Sequence, residues 1–409
     1  MAEKGDIVIT GAGVCCNLGD DLPSILEQLR TGKPRASFEK WPPAIEHGAR
    51  CQIIGKYHGD VSDAALGVSK AEGRFMGRQS RMALKAARVA LAESRLDPRG
   101  AAVVVGSGTG DVDTQNDIHD KLKATKNATK ISPTVIPRLM ASTASANLVN
   151  VLCTTGPSFS ATAACSGGAY NVLLAAALIS SGHAKCAIAG GVEVADLNFY
   201  AGFDSMRAYN GTDNERPERA SRPYAADRAG FIFAEGAGIV VLEKRADAAL
   251  RGAKILGTLV GWGMSSDGEG NMVAPASAGA LHAMQSALAH ARIAPERIGY
   301  VNTHGTSTQM GDIGEVKALE KLLGGRRVPY SSTKAYTGHT ISAAGTIEAI
   351  FTCAMLREGW VAPALNAEPL DPEIADYPPV LVPANVKLEL AMSNSFGFGG
   401  TNVSLVLSA

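Results

Sequence analysis

Hydrophobic positions in this chain fall into two patterns that alternate along its length. Short apolar runs predict strands, and longer runs with helical spacing predict helices. The alternation is typical of an α/β fold with buried central elements, and long loops are expected at 111–132 and 268–277. The predicted strands are 7–10, 101–105, 186–190, 239–243, 256–260, 300–302 and 403–407, and the predicted helices are 78–94, 166–181, 278–290, 314–323 and 345–356.

Two pairs of segments resemble each other and indicate an internal duplication. Residues 103–111 are similar to 301–312, and residues 7–13 are similar to 257–263. The two halves would form one compact body and meet near residues 244–254.

The composition excludes several classes of protein. The chain has 409 residues, of which 46% are hydrophobic, and its 39 basic and 39 acidic residues give no net charge. General polyanion binding, including nucleic-acid binding, is therefore not expected. No stretch reaches about 18 uninterrupted apolar residues, so no membrane span is expected. The glycine-rich runs at 11–13 and 106–110 do not follow the spacing of nucleotide-binding loops.

The seven cysteines carry no obvious disulfide or metal-binding pattern. Their number is odd, no two have CxxC spacing, and the N-terminus does not resemble a signal peptide. A reduced cytoplasmic protein is therefore expected.

Cys165 stands between a small-residue turn at 161–164 and an apolar run at 171–179. This pattern predicts a sharp turn that opens into a buried helix, with the thiol at the helix N-terminus. A helix N-terminus carries partial positive charge and free N–H donors, and it lowers the pKa of a cysteine from about 8.5. Taken alone, Cys165 is equally compatible with a reactive nucleophile and with a buried structural cysteine.

Three later segments contain groups that could assist a nucleophile. His304 lies within 301–308, and His339 closes the segment 332–339. Each histidine follows a strand-like run and borders a glycine, as a residue projecting into a cleft would. The third segment, 394–402, contains a glycine turn suited to close backbone approach. One cysteine with two such histidines is a candidate nucleophile with its helpers.

Together, these four segments resemble the β-ketoacyl-acyl-carrier-protein synthases, the elongating branch of the thiolase superfamily. The resemblance extends over nearly the whole chain. It implies a thiolase-like α/β fold in which two duplicated βαβ-rich halves form a layered α-β-α-β-α body. The first half, 1–250, would carry the nucleophile, and the second, 251–409, would carry both histidines and the GFGG turn.

The resemblance implies a decarboxylative Claisen condensation that needs no cofactor. Cys165 would hold an acyl chain, and malonyl-acyl carrier protein would supply the carbanion that gives 3-oxoacyl-acyl carrier protein. His304 and His339 would donate hydrogen bonds to the thioester enolate. Lys334, paired with Glu315, would orient the histidines and keep them neutral.

The resemblance also assigns contacts with the substrate. The backbone amides of Cys165 and Phe398 would form the oxyanion hole, and the Phe398 ring would gate the acyl chain. Phe396 would contribute to the same substrate-binding surface. Thr306 and Thr308 match hydroxyls that contact the pantetheine arm.

A group of polar positions resembles the internal monovalent-cation cluster of the family. An internal hydrogen-bond network with water explains the same residues equally well, so the sequence leaves both interpretations open. The group consists of Asn302, Glu348, Ser393 and Asn394.

An acyl carrier protein and a second copy of the chain are the expected partners. A carrier is strongly acidic, so docking would use a local basic patch, although lysines recurring over 121–130 fit a solvated face as well. Segments 101–111 and 148–152 resemble the dimer-side elements of the family, and two-fold dimers are the commonest oligomers. The docking candidates are Arg74, Arg78, Lys126, Lys130 and Arg207.

Two other activities are compatible with a related fold. A thiolase-type acyltransferase would place a second cysteine in the C-terminal turn, where this chain has Phe398. A non-catalytic chain-length-factor partner usually lacks the nucleophile, which is present here. Departures from the commonest elongating pattern leave chain length, unsaturation and pathway open. They are Ser166-Gly167-Gly168 after the nucleophile, where Ala-Thr-Ser is frequent, together with Gln309, Tyr336, Thr340 and Ser342.

Overall fold

Ten strands form a continuous hydrogen-bonded sheet in the computed structural model, which describes residues 6–35, 38–268, 272–273 and 277–409. In chain order the strands are β1 (Ile7–Cys16), β2 (Ala102–Gly106), β3 (Ser158–Phe159), β4 (Cys186–Glu193), β5 (Gly236–Lys244), β6 (Gly257–Ser266), β7 (Tyr300–Asn302), β8 (Tyr330–Ser331), β9 (Leu390–Gly397) and β10 (Thr401–Ser408). Across the sheet they follow the order β8-β7-β9-β10-β6-β1-β5-β4-β2-β3.

The first five strands and the last five repeat one topology. From the sheet edge inward, the first set follows the order β3-β2-β4-β5-β1, and the last set follows the order β8-β7-β9-β10-β6. Strands of the same rank within each set therefore occupy the same place. The two sets meet where β1 and β6 pair antiparallel, with Ile7–Ile9 opposite 257–259. This repeat confirms the predicted duplication.

Nine helices of eight residues or more accompany the described strands. They are α1 (Leu22–Thr31), α2 (Arg78–Ser94), α3 (Val112–Thr125), α4 (Thr143–Leu152), α5 (Gly167–Ser180), α6 (Leu197–Ser205), α7 (Ser277–Ala291), α8 (Gln309–Leu322) and α9 (Ala344–Glu358). Shorter helical segments are Pro42–Glu46, Asp63–Leu66, Lys70–Gly73, Val135–Leu139, Arg245–Leu250 and Lys334–Thr337, and two strand pairs join Glu39–Lys40 to Ile53–Ile54 and Trp360–Val361 to Ala384–Asn385.

The helices and the two strand sets form five layers. Helices α5 and α9 contact each other and strands of both sets, so they form the central layer. Helix α2 packs on the outer face of β1 and β5, and α7 packs on β6 and β10. A Cβ atom at Gly11 or Gly13 would lie 2.0 Å from a backbone carbonyl oxygen of α2, so glycine permits this close packing. The layered α/β architecture predicted from the sequence is confirmed.

Both central helices begin from the same kind of turn. A 3₁₀ turn at Ala164–Ser166 precedes α5, and one at Ile341–Ala343 precedes α9. The first residue of each turn is left-handed, with φ of 45° at Ala164 and 43° at Ile341. Such strained backbone is typical of functional sites. The duplication therefore places Cys165 and Ser342 at corresponding positions.

One local prediction is wrong, and the predicted elements omit several that the structure contains. Residues 112–125 form α3 rather than a loop, capped by Asp111, whose side chain accepts from the Thr114 N–H. Strand β9 was absent from the predicted elements. Most of the loop expected at 268–277 lies outside the described residues. Within the described part of the chain, no helix combines the length and apolar character needed to cross a membrane.

Candidate active site

The predicted nucleophile lies on the floor of a cavity of about 680 Å³. Cys165 sits in the strained turn that opens α5, and only 5% of its surface is exposed. The N–H groups of Phe398 and of Cys165 itself both reach the sulfur. A Cβ atom at Gly397 would lie 3.1 Å from the Cys165 nitrogen, so glycine allows the two backbones to approach. The two amides form a pair of donors beside the thiol.

Burial raises the pKa of the Cys165 thiol to about 11. The N–H of Phe398 and the charge of Lys334 lower this pKa, but they do not offset the loss of solvent, and the charge of Glu193 raises it further. The expected lowering of the pKa is therefore wrong for the free protein, because the sequence indicates a helix N-terminus but not the depth of burial. Cys165 rests as a thiol and must lose its proton during reaction.

Two histidines face the thiol. His304 follows β7, and His339 follows the short helix Lys334–Thr337. Their rings stand nearly perpendicular, with centroids 5.2 Å apart. One nitrogen from each ring and the Cys165 sulfur all lie within 4.8 Å of one another. These three side chains thus meet at one point, as predicted, with a spacing that would also suit a divalent cation.

Both imidazoles are neutral near pH 7. Burial lowers the pKa of His304 and His339 well below 6.5, and the charge of Lys334 lowers both further. Within the described structure, Nδ1 of His304 and both ring nitrogens of His339 are buried without a hydrogen-bond partner. Buried polar atoms are normally satisfied, so these nitrogens are available to a substrate.

The predicted pairing of Lys334 with Glu315 is wrong. The Lys334 ammonium lies 2.5 Å from a carboxylate oxygen of Glu348, and it donates to the His304 carbonyl oxygen at 2.6 Å. Glu315 instead accepts from the backbone N–H groups of His304 and Gly305, at 2.9 and 3.0 Å. The lysine and Glu315 therefore hold the His304 segment from its carbonyl and its amide groups, respectively.

Three of the four positions in the expected cation cluster carry unsatisfied oxygens. Asn302 Oδ1, Glu348 Oε2 and Ser393 Oγ are buried without a hydrogen-bond partner in the described structure. Asn302 and Ser393 are register partners on β7 and β9. Asn394 is satisfied, since it donates to Glu315 at 2.9 Å and accepts from Ser404 at 2.8 Å. The first three residues fit a small cation that takes oxygen ligands.

All of the predicted substrate contacts line the cavity. Thr306 and Thr308 lie there with their hydroxyl oxygens 3.0 Å apart. Phe396 packs 6.0 Å from the His304 ring, between centroids, and the half-buried Phe398 packs 5.7 Å from Phe203.

The sequence did not reveal the aromatic wall beside Phe398. Phe203 and Phe231 line the cavity and pack against each other, and Phe231 lies 5.2 Å from the His339 ring. These residues come from separate segments without a shared motif, so only the fold brings them together.

The proposed docking residues occupy different places. Arg207 is exposed and lines the cavity mouth. Arg74, Lys126 and Lys130 are exposed but are not among the lining residues, and Arg78 is engaged in an ion pair with Glu235. Three exposed methionines that the sequence did not single out also line the mouth, namely Met206, Met272 and Met310.

Family models match most of the chain. The model described as "Beta-ketoacyl synthase, N-terminal domain" matches residues 4–248, and "Beta-ketoacyl synthase, C-terminal domain" matches 256–368. The chain is 35% identical over 406 residues to "3-oxoacyl-[acyl-carrier-protein] synthase 1" of Escherichia coli K12, with 98% of each chain covered. It is 37% identical over 419 residues to "3-oxoacyl-[acyl-carrier-protein] synthase 2" of Vibrio cholerae, with 99% of each covered.

Solved structures show the same architecture. A β-ketoacyl synthase from Burkholderia phymatum superposes with a TM-score of 0.92 at 30% identity, covering 98% of this chain and 99% of that one. A type II polyketide ketosynthase, solved in complex with its acyl carrier protein, superposes with a TM-score of 0.89 at 25% identity and full coverage of both chains.

Proposed function

Because the chain belongs to the β-ketoacyl synthase family, we propose that Cys165 carries an acyl chain for condensation with malonyl-acyl carrier protein. The product is 3-oxoacyl-acyl carrier protein, and the activity is that of an acyltransferase in fatty-acid or related polyketide chain elongation. The observation that carries this proposal is the meeting of the Cys165 sulfur with nitrogens of two neutral imidazoles within 4.8 Å on one cavity floor.

The first step transfers the acyl group to the enzyme. The Cys165 sulfur attacks the thioester carbonyl, and the carbonyl oxygen becomes an oxyanion that the N–H groups of Cys165 and Phe398 stabilise. The bond between the carbonyl carbon and the carrier sulfur then breaks. The proton of the Cys165 thiol ends on the departing carrier thiol, so the raised pKa of Cys165 is compatible with turnover.

The second step forms the carbon–carbon bond. Loss of carbon dioxide from the malonyl thioester leaves an enolate, whose oxygen accepts hydrogen bonds from His304 and His339. Their pKa values lie below 6.5, so the rings are neutral and each offers one N–H donor. The enolate carbon attacks the acyl-Cys165 thioester, and Cys165 leaves as a thiolate that takes up a proton.

The cavity walls suit a carrier-borne substrate. Thr306 and Thr308 line the cavity, and their hydroxyls can contact a pantetheine arm. The Phe398 ring lines the same cavity as the thiol and packs on Phe203, so its rotation would change the access of an acyl chain to Cys165. Phe396 contacts His304 and shapes the floor.

We assign Asn302, Glu348, Ser393 and Asn394 as an internal monovalent-cation site. The support is the set of three buried, unsatisfied oxygens on the first three residues. A cation there would share Glu348 with Lys334 and would fix the backbone that carries the histidines.

An acyl carrier protein is the proposed partner at the cavity mouth.

A second copy of the chain is the other proposed partner, and it would contact the surface around helix α3. Helix α3 and the segment Val135–Leu139 bury almost no side chains of their own, Thr114 being the exception. Ile136 is 69% exposed, and edge strand β3 has both residues exposed. An isologous contact over this region would cover the apolar surface and the free strand edge.

Two further assignments complete the proposal. We take the boundary between the halves to fall at residues 250 and 251, next to the start of β6, which opens the second strand set. We place the protein in the cytoplasm, because all seven cysteines are free thiols.

A thiolase-type reaction finds less support. Cys165 is the sole cysteine among the residues that line the described cavity, so no second thiol is present there to deprotonate a substrate. Retention of the nucleophile and both histidines likewise disfavours a non-catalytic partner subunit.

The covalent intermediate provides the test. The protein is mixed with an acyl-acyl carrier protein, and intact mass spectrometry followed by peptide mapping locates the bound acyl group. One acyl group on Cys165 is expected, and pretreatment with iodoacetamide should prevent its attachment. Release of a free acid without an acyl-enzyme, or acylation at another residue, would reject the proposal.

A further inference from the structure

Ser342 contacts the peptide group that supplies one donor of the oxyanion hole. Its hydroxyl donates a hydrogen bond of 3.3 Å to the carbonyl oxygen of Ala164. That carbonyl and the N–H of Cys165 belong to the same peptide unit. Because the unit is planar, a partner on the carbonyl oxygen fixes the direction of the N–H on its other side. It also polarises the N–H, since hydrogen bonds in a chain strengthen one another.

We propose that Ser342 is a positioning residue that aligns and polarises the Cys165 amide for the oxyanion of acyl transfer. The inference rests on the proposed function, because it assigns a task within that reaction. It uses the duplication of the fold: Ser342 occupies, in the turn before α9, the position that Cys165 occupies in the turn before α5. The second turn thus supports the first.

The Ser342 turn is itself held firmly. The Ser342 N–H donates to the buried carboxylate of Glu193 at 3.4 Å, and the same carboxylate accepts from the Gly108 N–H at 2.9 Å. Cβ atoms at Gly168 and Gly191 would lie 2.5 and 2.1 Å from the Ser342 carbonyl oxygen. The turn is therefore packed directly against backbone of α5 and β4, which fixes the main chain that carries the Ser342 hydroxyl.

Gly167 and Ser342 occupy complementary space. A Cβ atom at Gly167 would lie 2.5 Å from Ser342 Oγ, closer than real contacts allow. The threonine that is frequent at this position in the elongating pattern would therefore clash with the Ser342 hydroxyl. Gly167 and the serine at 342 therefore explain each other: the side chain at this contact comes from the histidine-bearing half instead of the nucleophile-bearing half.

A comparison of two reactions of Cys165 tests the role of Ser342. Acyl transfer from an N-acetylcysteamine thioester creates an oxyanion, whereas alkylation by iodoacetamide does not. In Ser342→Ala, the single-turnover acylation rate should fall about 3- to 10-fold relative to the alkylation rate, as expected for loss of one hydrogen bond. Ser166→Ala is the matched control, because its hydroxyl donates to the Ala163 carbonyl, which belongs to a different peptide unit. That control should leave the ratio unchanged.

The outcomes separate the alternatives. If the ratio of the acylation rate to the alkylation rate is unchanged in Ser342→Ala, Ser342 has no positioning role. An equal change of this ratio in Ser342→Ala and Ser166→Ala would also overturn the role. A wild-type protein that is alkylated at Cys165 but never acylated would reject the proposed function itself, and the inference with it. A packing check accompanies the kinetics: Gly167→Ala should lower the melting temperature of the wild type more than that of Ser342→Ala. If Gly167→Ala lowers the melting temperature equally in the wild type and in Ser342→Ala, the Gly167 and Ser342 side-chain positions do not compete for the same space.

Discussion

The Lys334 ammonium donates a hydrogen bond of 2.6 Å to the backbone carbonyl oxygen of His304, with both residues buried. The contact places a positive charge close to the imidazole, and this charge lowers the pKa of the ring in addition to burial. It affects His339 in the same way. One lysine therefore adds to the effect of burial in keeping two hydrogen-bond donors neutral, while it positions one of them.

Removal of this charge should change the pH dependence of decarboxylation. The variant carries Lys334→Met together with Glu348→Gln, so that no carboxylate loses its buried partner. Both histidine pKa values should rise toward 6.5, and acidification should then protonate the rings at a higher pH than in the wild type. Carbon dioxide release from malonyl-acyl carrier protein, followed from about pH 5 to 8, measures the shift of the acidic limb.

The matched control for this experiment is Glu348→Gln alone. It keeps the Lys334 charge, so its acidic limb should lie no higher than that of the wild type. If the double variant and the wild type share one acidic limb, Lys334 does not set the protonation of the histidines.

His304→Ala and His339→Ala should each separate the two half-reactions. Loss of one enolate donor should slow decarboxylation about 10²-fold or more, whereas acylation of Cys165 depends on the backbone amides and should persist. Single-turnover acylation and carbon dioxide release are measured separately on the same preparations. His47→Ala, on the exposed end of a short helix, is the control. Equal loss of both steps in both variants would contradict this division of labour.

The sequence predicted a helix or strand where the buried positions are apolar and regularly spaced, and it missed elements that lack such a pattern. Helix α2 was predicted with its observed bounds because one apolar face covers β1 and β5. Helix α3 was missed because only Thr114 is buried, which leaves no periodicity to detect. Strand β9 was missed because Ser393, Asn394 and Ser395 are polar yet fully inside.

In the candidate active site, the sequence predicted the residues that lie in local motifs but not the contacts that depend on packing. Cys165, His304 and His339 were predicted from short motifs that specify local turns. The partner of Lys334 could not be predicted, because Glu315 and Glu348 lie on different helices and only the packing of α9 brings Glu348 to the lysine. The raised pKa of Cys165 is likewise a consequence of burial, which no local segment encodes.

Charge reversal at the cavity mouth should weaken recognition of the carrier. Arg207→Glu should raise the KM for acyl-acyl carrier protein several-fold more than it raises the KM for a small thioester, because an exposed basic residue attracts an acidic partner. Added salt should reduce the difference in this KM between the variant and the wild type, since salt screens charges beyond about 8–10 Å.

Lys185→Glu is the matched control for the docking test. Lys185 is exposed and precedes β4, whereas Glu193, at the other end of that strand, lies near Cys165. The strand separates the control from the site by roughly 25 Å. If both charge reversals act alike, or if Arg207→Glu affects both substrates equally, the docking surface lies elsewhere.

Light scattering at micromolar concentration should give twice the chain mass of 42.3 kDa. Ile136→Asp should shift the equilibrium toward the monomer, because it places a charge in the apolar surface proposed to be covered. Ile45→Asp introduces the same change at another exposed isoleucine and should leave the dimer intact. A monomeric wild type would exclude the dimer.

The yield of 3-oxoacyl-acyl carrier protein from acyl- and malonyl-acyl carrier protein measures most directly whether Cys165 carries the acyl chain during condensation. Cys165→Ala should abolish this product while the fold survives, because no other cysteine lines the described cavity. Cys165→Gln should still release carbon dioxide, since both histidines remain. Condensation by the Cys165→Ala variant at the wild-type rate would contradict the account.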